Sequence, residues 1–464
     1  MLQQSAVRMA EMVRARKISS VELVKLHLDR IEQANPKINA VVHSLADSAL
    51  RDAASADARL ARGEACGPLH GVPFSVKDSI DVAGTRCTAG TLGRREAEYA
   101  NEDATLVHRL RAAGGIPIAK TNLPDLLFSF ESDNYIFGRT NNPYDLTRTS
   151  GGSSGGESAL IASGGSPLGL GSDCAGSVRL PAAFCGLASI KPTSGRLPRT
   201  GHVPPAGSWI EKLWQIGPMA RWTEDVVLAM KLLSGPDGFD LASPPVSLIE
   251  APQPRELRVA FFTDNGITRC TPEVIKAIEN CARPLADFGM RVEARTPPYI
   301  EQCYELEMAI LGADGMDGID DYLSKIGGAK VHPLLTDFTN RMRPFRATAS
   351  AFAQRWAQWD EYRSQLMRFF DLYDAVLSPV YTQPALKHGD STNDENFEGF
   401  SYTMAWNVAG FPAATVRCGE VNGLPINVQV IAAPWREMTA LSVCRVIEER
   451  LGGWQAPPEA FSHR

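Results

Sequence analysis

The sequence predicts an α/β protein, in which the strands of one sheet alternate with helices. Three observations support this prediction. Short apolar runs such as residues 72–76 and 116–119 are bounded by Gly and Pro. Segments of helical length separate these runs, which is typical of an α/β sheet. The chain has 464 residues, 44% of them hydrophobic and 22% charged, so it is long enough to bury a large core.

Residues 1–60 are predicted to form a helical region. Ser19 and Ser20 precede Glu22 in the pattern of a capping box, which marks the start of a helix. Apolar residues then recur with the helical period: Val21, Val24, Leu28 and Ile31. We therefore expect an amphipathic helix that packs its apolar face against the core.

Residues 140–208 are rich in Gly, Ser, Pro and Thr, which is also the composition of a flexible linker. They contain compact apolar runs at 159–161 and 168–170, which a linker lacks. We therefore predict that this segment folds. Further along, strands are predicted at 257–262, 375–377 and 426–432, and helices at 273–288 and 437–450.

The composition excludes several classes of partner. The chain has 47 Lys and Arg against 53 Asp and Glu, and no basic block interleaved with aromatics, so nucleic acid is not an expected partner. It has no run of 18 apolar residues and no apolar secretory leader, so we expect a cytoplasmic protein without membrane contact. Nine scattered Cys without a C-x-x-C pair indicate reduced thiols. No metal or cofactor motif occurs, so we expect neither a metal nor a cofactor.

Two serines lie in Gly-containing turns. Ser153, in residues 151–155, matches the G-x-S-x-G nucleophile elbow, and Ser177 lies 24 residues downstream. An elbow serine requires a histidine base later in the chain. None of the four downstream histidines has a revealing context, and each is expected to be a solvated or core residue: His202, His332, His388 and His463. The two serines therefore need a different base.

Lys77 is the best candidate for that base. It ends the apolar run at 72–76, and a strand there would carry its side chain inward. Burial disfavours the ammonium form, and a pKa lowered by about three units corresponds to roughly 4 kcal/mol. The alternative from the residues alone is a strand-end lysine that reaches solvent.

The residues around both serines resemble the amidase signature family. The resemblance rests on residues 151–157, 169–173 and 176–182, and it extends to 71–78, 120–122, 141–143, 191–193 and 217–221. Residues 121–124 and 128–129 look most like the fatty acid amide hydrolase branch of that family. The N-terminal membrane anchor of the mammalian member of that branch is not expected here.

The resemblance implies a central mixed sheet flanked by helices on both faces. It implies one amidase domain over residues 1–464. Its parts are an N-terminal helical region at 1–60, a signature core at 70–235, a variable substrate-shaping region at 240–370 and a C-terminal part of the core at 371–450. Substrate preference is expected to depend on the variable region.

The resemblance also implies a Ser-Ser-Lys triad. Ser177 would be the nucleophile, Ser153 the bridging hydroxyl, commonly on a cis peptide bond, and Lys77 the ultimate base. The backbone N–H groups of Cys174, Ala175, Gly176 and Ser177 would form the oxyanion hole. Ala175 departs from the usual Gly, and it would be strained if its φ were positive.

The expected activity is hydrolysis of carboxamide C–N bonds through an acyl-enzyme, extending to esters and N-aryl carbamates. Leu127, Phe128 and Ser129 are the expected substrate-binding residues. An apolar pocket is expected from a wider set: Leu127, Phe128, Phe130, Trp209, Met308, Phe338 and Trp356. The alternative is the A subunit of a glutamine-dependent tRNA amidotransferase, which works only inside a complex. The expected partner is otherwise a small-molecule substrate, and a homodimer is compatible with the sequence.

Overall fold

The computed structural model describes residues 1–205, 209–327 and 330–458. Within these residues, eleven strands form one sheet and two more form a separate ladder. The strands are β1 (Val41–Ser44), β2 (Pro73–Lys77), β3 (Ile116–Thr121), β4 (Asn141–Asn142), β5 (Asp145–Thr149), β6 (Leu168–Asp173), β7 (Ala188–Lys191), β8 (Gln215–Ala220), β9 (Arg258–Phe261), β10 (Arg291–Ala294), β11 (Ala375–Pro379), β12 (Ala413–Val421) and β13 (Leu424–Ala432).

The large sheet is mixed, with the order β1-β3-β2-β6-β8-β7-β12-β13-β11-β9-β10. Strands β3, β2 and β6 are parallel neighbours, and β11, β9 and β10 form a second parallel set. The strands between these two sets pair antiparallel. This sheet with its flanking helices confirms the predicted fold class.

The helices connect and cover these strands. They are α1 (Ala6–Arg14), α2 (Ser20–Ile38), α3 (Ala46–Ala61), α4 (Thr105–Ala112), α5 (Gly155–Ala162), α6 (Arg179–Phe184), α7 (Thr223–Leu233), α8 (Pro272–Phe288), α9 (Cys303–Leu311), α10 (Asp317–Lys325), α11 (Pro333–Met342), α12 (Ala349–Phe369), α13 (Asp394–Glu398), α14 (Ser401–Ala409) and α15 (Glu437–Leu451). Short 3-10 turns occur at Leu92–Arg94, Asp125–Leu127, Trp209–Lys212, Pro254–Glu256, Ile300–Gln302, Arg343–Phe345 and Asp390–Thr392. No helix in the described ranges combines the length and apolar character that crossing a membrane requires.

The N-terminal region contains one strand that the helical prediction missed. The capping box of α2 forms as expected, because Ser19 and Glu22 each bond the other's backbone N–H. Strand β1 then interrupts the helices and pairs antiparallel with β3. It has only four residues and lies at the edge of the sheet, so its stability comes from the ladder rather than from a recognisable alternation.

The Gly- and Ser-rich segment lies inside the molecule. It supplies β6, α5 and α6, and nearly all of residues 149–199 are buried. Close packing explains part of its glycine content: a Cβ on Gly169 in β6 would lie 1.7 Å from the Glu157 carboxylate in α5. Glycine therefore lets this helix lie directly against the sheet.

Candidate active site

The candidate site lies where two parallel strands end at the same edge of the sheet. Strands β2 and β6 are neighbours, with Ser75 opposite Gly169. Strand β2 ends at Lys77, and β6 ends at Asp173, immediately before the turn at 174–177. The carboxyl ends of adjacent parallel strands are a common location for ligand sites in α/β proteins. This register brings Lys77 to the turn at 174–177, which contains the predicted nucleophile Ser177 and is called the nucleophile turn below.

Lys77 is fully buried, which excludes the strand-end lysine that reaches solvent. Its Nζ lies 2.6 Å from Ser153 Oγ, 3.2 Å from Ser172 Oγ and 3.4 Å from the Ser172 carbonyl oxygen. Burial lowers the pKa of the Lys77 amine well below its ordinary value, and the nearby carboxylates of Asp173 and Glu157 offset this only in part. A neutral amine is the form that can accept a proton.

Ser153 and Ser177 face the same cavity. Ser153 follows a cis peptide bond after Gly152, and it lies just before α5. The backbone N–H of the next residue, Ser154, donates to the Ser177 carbonyl at 3.1 Å and ties the two turns together. The structure thus brings Lys77, Ser153 and Ser177 to one place, while their catalytic roles stay predictions.

A buried ion pair holds the nucleophile turn. Arg179 donates to the Asp173 carboxylate through Nε at 2.9 Å and through Nη2 at 3.0 Å, and neither side chain is exposed. Asn407 Nδ2 donates to the same carboxylate at 2.9 Å. Asp173 and Arg179 therefore fix the backbone around Ser177.

One of the four predicted oxyanion donors is occupied. The Gly176 N–H donates to Asp173 Oδ1 at 2.8 Å, so it points toward the carboxylate rather than freely into the cavity. Gly176 has φ +124°, and a Cβ there would lie 2.3 Å from Thr403 Oγ1. The Gly176 amide is therefore not available to an oxyanion, and the amides of Cys174, Ala175 and Ser177 are the remaining candidates.

The two residues before Gly176 fit a lining role. Ala175 is not among the described residues with positive φ, so its Cβ brings none of the strain considered above. Burial raises the pKa of the Cys174 thiol well above its ordinary value. A protonated thiol is a poor nucleophile, so Cys174 is a poorer candidate for the nucleophile than Ser177.

The cavity in front of Ser177 has a volume of about 110 Å³. All three predicted substrate-binding residues, Leu127, Phe128 and Ser129, line it. Its large apolar lining residues are Leu126, Leu127, Phe128, Phe130, Ile210, Trp214, Leu311 and Phe338. Of the wider predicted set, Trp209, Met308 and Trp356 are not among the described lining residues.

Two further polar residues of the cavity, Ser172 and His202, were not predicted to belong to the site. Both line the cavity, and Ser172 Oγ lies 3.0 Å from His202 Nε2 as well as 3.2 Å from Lys77 Nζ. Burial lowers the pKa of His202 to about 3, so its ring is neutral. No sequence motif marks His202, although the Gly-Ser-Asp run before the nucleophile turn contains Ser172. His332 and His388 are not among the described lining residues, and His463 lies outside the described residues.

Glu157 is a second buried carboxyl group near Lys77. It lies in the first turn of α5 and accepts hydrogen bonds from Ser75 and, at 2.7 Å, from Thr121 Oγ1. Burial raises the pKa of Glu157 to about 7, and these bonds and Lys77 only partly oppose that effect. Glu157 therefore carries less than a full charge beside the lysine near neutral pH.

Known proteins match this chain along nearly its whole length. It is 32% identical over 475 residues to the A subunit of the glutamyl-tRNA(Gln) amidotransferase of Heliobacterium modesticaldum, covering 96% of each chain. It is 30% identical over 486 residues to fatty-acid amide hydrolase 2-A of Danio rerio, covering 98% of this chain and 90% of that one. The solved structure of 6-aminohexanoate cyclic dimer hydrolase superposes with a TM-score of 0.89 at 28% identity, covering both chains completely.

A profile of the family described as Amidase matches residues 22–441, which includes both serine turns and Lys77. Together with the relatives above, this match shows that the chain belongs to the amidase family, whose members are hydrolases acting on amide C–N bonds.

Proposed function

We propose that this protein is a serine amidase that hydrolyses hydrophobic or aryl amides without a partner subunit. The observation that carries the proposal is the 2.6 Å contact between the buried Lys77 amine and Ser153 Oγ, beside a cavity that Ser177 lines. Burial lowers the pKa of the amine and so favours its neutral form, which supports its role as the base.

In the proposed first half-reaction, Lys77 takes the proton of Ser153 while Ser153 takes the proton of Ser177. Ser177 Oγ then attacks the amide carbonyl carbon and forms a tetrahedral oxyanion. The amides of Cys174, Ala175 and Ser177 stabilise this oxyanion, and each such donor contributes about 3 kcal/mol in comparable enzymes. The proton returns through Ser153 to the leaving nitrogen as the C–N bond breaks.

The second half-reaction uses the same path. Water attacks the carbonyl carbon of the ester on Ser177, and its proton passes through Ser153 to Lys77. The C–O bond to Ser177 breaks, the acid is released, and Ser177 recovers its proton. Esters and N-aryl carbamates present the same carbonyl to Ser177, so we propose that they are also substrates.

The lining of the cavity supports an apolar substrate. Among its described lining residues, Asp173 is the one charged side chain, and Arg179 already neutralises it. An apolar or aromatic group would bury its surface there without desolvating an unpaired charge. Leu311 and Phe338 come from the 240–370 region, which supports a substrate-shaping role for that region.

The second candidate function is the A subunit of an amidotransferase. It is favoured by the relative from Heliobacterium modesticaldum, whose 32% identity to this chain is slightly above the 30% of the fatty-acid amide hydrolase relative. Such a subunit would bind glutamine, whose α-ammonium and α-carboxylate need charged or strongly polar partners. The described cavity lining offers neither a free cation nor a free carboxylate for them.

A substrate panel separates the two functions. The purified chain alone is assayed for release of amine, ammonia or alcohol from anilides, alkyl amides, aryl esters, N-aryl carbamates and glutamine, with Ser177→Ala as the control. We expect turnover of the apolar compounds that is lost in Ser177→Ala. Turnover of glutamine alone, or activity only after partner subunits are added, would overturn the proposed function in favour of the second.

A further inference from the structure

His202 is a buried residue of the cavity that the proposed triad does not use. It lies in the loop between β7 and β8 and is 6% exposed. Its ring packs against Trp214, with centroids 4.6 Å apart. Its two nitrogens contact three polar groups: the Pro204 carbonyl oxygen, Ser79 Oγ and Ser172 Oγ.

These contacts determine which ring nitrogen carries the hydrogen. Nδ1 lies 3.0 Å from the Pro204 carbonyl oxygen, and a carbonyl oxygen can only accept. Nδ1 therefore carries the hydrogen, and Nε2 of the neutral ring is an acceptor. Nε2 has a single lone pair, which can accept from the Ser172 hydroxyl at 3.0 Å, the shorter contact, or from the Ser79 hydroxyl at 3.1 Å.

The direction of the Ser172 hydrogen bond fixes the orientation of Lys77. When Ser172 gives its hydrogen to His202, its oxygen can only accept from Lys77 Nζ at 3.2 Å. The Ser172 carbonyl oxygen, 3.4 Å from Nζ, is also only an acceptor. A neutral amine has two hydrogens and one lone pair. With both hydrogens directed at these two oxygens of Ser172, the lone pair is left for the Ser153 hydroxyl at 2.6 Å.

We propose that His202 is a positioning residue, which acts through Ser172 to aim the lone pair of Lys77 at Ser153. This inference rests on the proposed Ser-Ser-Lys mechanism. Without the acceptor on His202, the Ser172 hydroxyl is free to donate to Lys77 instead. It then competes with Ser153 for the one lone pair that the proton transfer requires.

The alternative role for His202 is packing alone, because its ring also contacts Trp214 and the cavity wall. Two features of the test separate the roles. The His202→Gln variant supplies a carbonyl oxygen that can accept near the position of Nε2, whereas His202→Leu fills the site without an acceptor. Ser172→Ala removes the atom through which the positioning effect must pass, so a double-mutant cycle measures whether the two residues act together.

The experiment measures the second-order rate at which a fluorophosphonate labels the purified protein. In this reaction Ser177 Oγ bonds to phosphorus, fluoride leaves, and the hydroxyl proton passes through Ser153 to Lys77. Labelling needs no knowledge of the natural substrate. Thermal melting of each variant verifies that it is folded.

We expect His202→Leu to slow labelling by about ten- to a hundredfold, which is part of the roughly 10²–10⁴-fold that general-base catalysis contributes. His202→Gln should recover most of the rate. Ser172→Ala should cause a similar loss by itself, which keeps the test valid if the Leu variant is unstable. In the Ser172→Ala protein, His202→Leu should cost less than about threefold more.

Two results would overturn the positioning role while leaving the proposed function intact. One is that the losses from His202→Leu and Ser172→Ala multiply, and the other is that His202→Gln is as slow as His202→Leu. A different result bears on the proposed function itself: labelling that persists in Ser177→Ala would overturn the nucleophile, and the positioning role with it.

Discussion

Asp173→Asn is predicted to destabilise the nucleophile turn. Burial raises the pKa of the Asp173 carboxyl, but Arg179, Asn407 and Lys191 together outweigh burial and hold that pKa well below its usual range. A carboxyl whose pKa is lowered by folding stabilises the protein above its unfolded pKa, and this stabilisation is lost as the pH falls through the folded pKa. At neutral pH the ionised Asp173 carboxylate therefore contributes its full stabilisation, and Asp173→Asn removes it.

The loss of stability in Asp173→Asn is expected to be large because both Asp173 and Arg179 are buried. Asn leaves the Arg179 charge buried without its counter-charge, and removing one partner of a buried pair costs about 3–5 kcal/mol. The entropy of unfolding is about 2.1 cal/mol/K per residue, or about 1 kcal/mol/K for 464 residues. We therefore expect the melting temperature to fall by about 3–5 °C.

Asp320→Asn is the matched control. Arg343 also binds the Asp320 carboxylate through two nitrogens, at 2.8 and 2.9 Å, but both side chains are 40% or more exposed. Exposed pairs of this kind contribute little, so its melting temperature should stay within about 1 °C of wild type. Thermal melts at neutral pH compare the two variants. Equal melting temperatures for Asp173→Asn and Asp320→Asn would refute the reasoning.

Three further predictions concern the turn and the base. Lys77→Ala should slow acylation of Ser177 by roughly 10²–10⁴-fold, because the variant lacks the base. Acylation of the wild type should slow as the pH drops through the lowered pKa of Lys77, because the amine then becomes protonated. Burst kinetics measure both effects, and a wild-type acylation rate in Lys77→Ala would contradict the role of the base. Gly176→Ala should abolish most activity, because the added Cβ would clash with Thr403 Oγ1. The control Gly235→Ala should change activity little, because Gly235 also has a positive φ, +109°, but no atom lies within 4 Å of its added Cβ. An equal loss of activity in the two variants would contradict the clash. Ala175→Gly should leave kcat within about twofold, because Ala175 lacks positive φ, and a large gain in kcat would show that its Cβ hinders the site.

The sequence predicted the fold class because the strands of the central sheet are compact apolar runs. Strands β11 and β13 cover the strands predicted at 375–377 and 426–432, and β6 covers the apolar run at 168–170. The short edge strand β1 could not be predicted, because only its pairing with β3 distinguishes it from a loop. A local sequence pattern therefore predicts a strand that contains an apolar run. It does not predict a strand such as β1, which depends on pairing with a neighbouring strand.

The sequence predicted those residues of the candidate site that lie in a local motif. Ser153 and Ser177 lie in Gly-rich turns, and Lys77 ends an apolar strand, so each has a local pattern. His202 has none: it reaches Ser172 across 30 residues through a loop, and only the folded chain places them 3.0 Å apart. The occupied Gly176 amide could not be predicted either, because its hydrogen bond to Asp173 depends on the path of the folded turn.

The proposed mechanism requires that Ser177 forms a covalent acyl-enzyme. The most direct measurement is mass spectrometry of the protein quenched during turnover of an aryl ester or anilide, followed by peptide mapping. We expect the mass of one acyl group on the peptide that contains Ser177, and no adduct in Ser177→Ala. An adduct on another residue, or the same adduct in Ser177→Ala, would contradict the account.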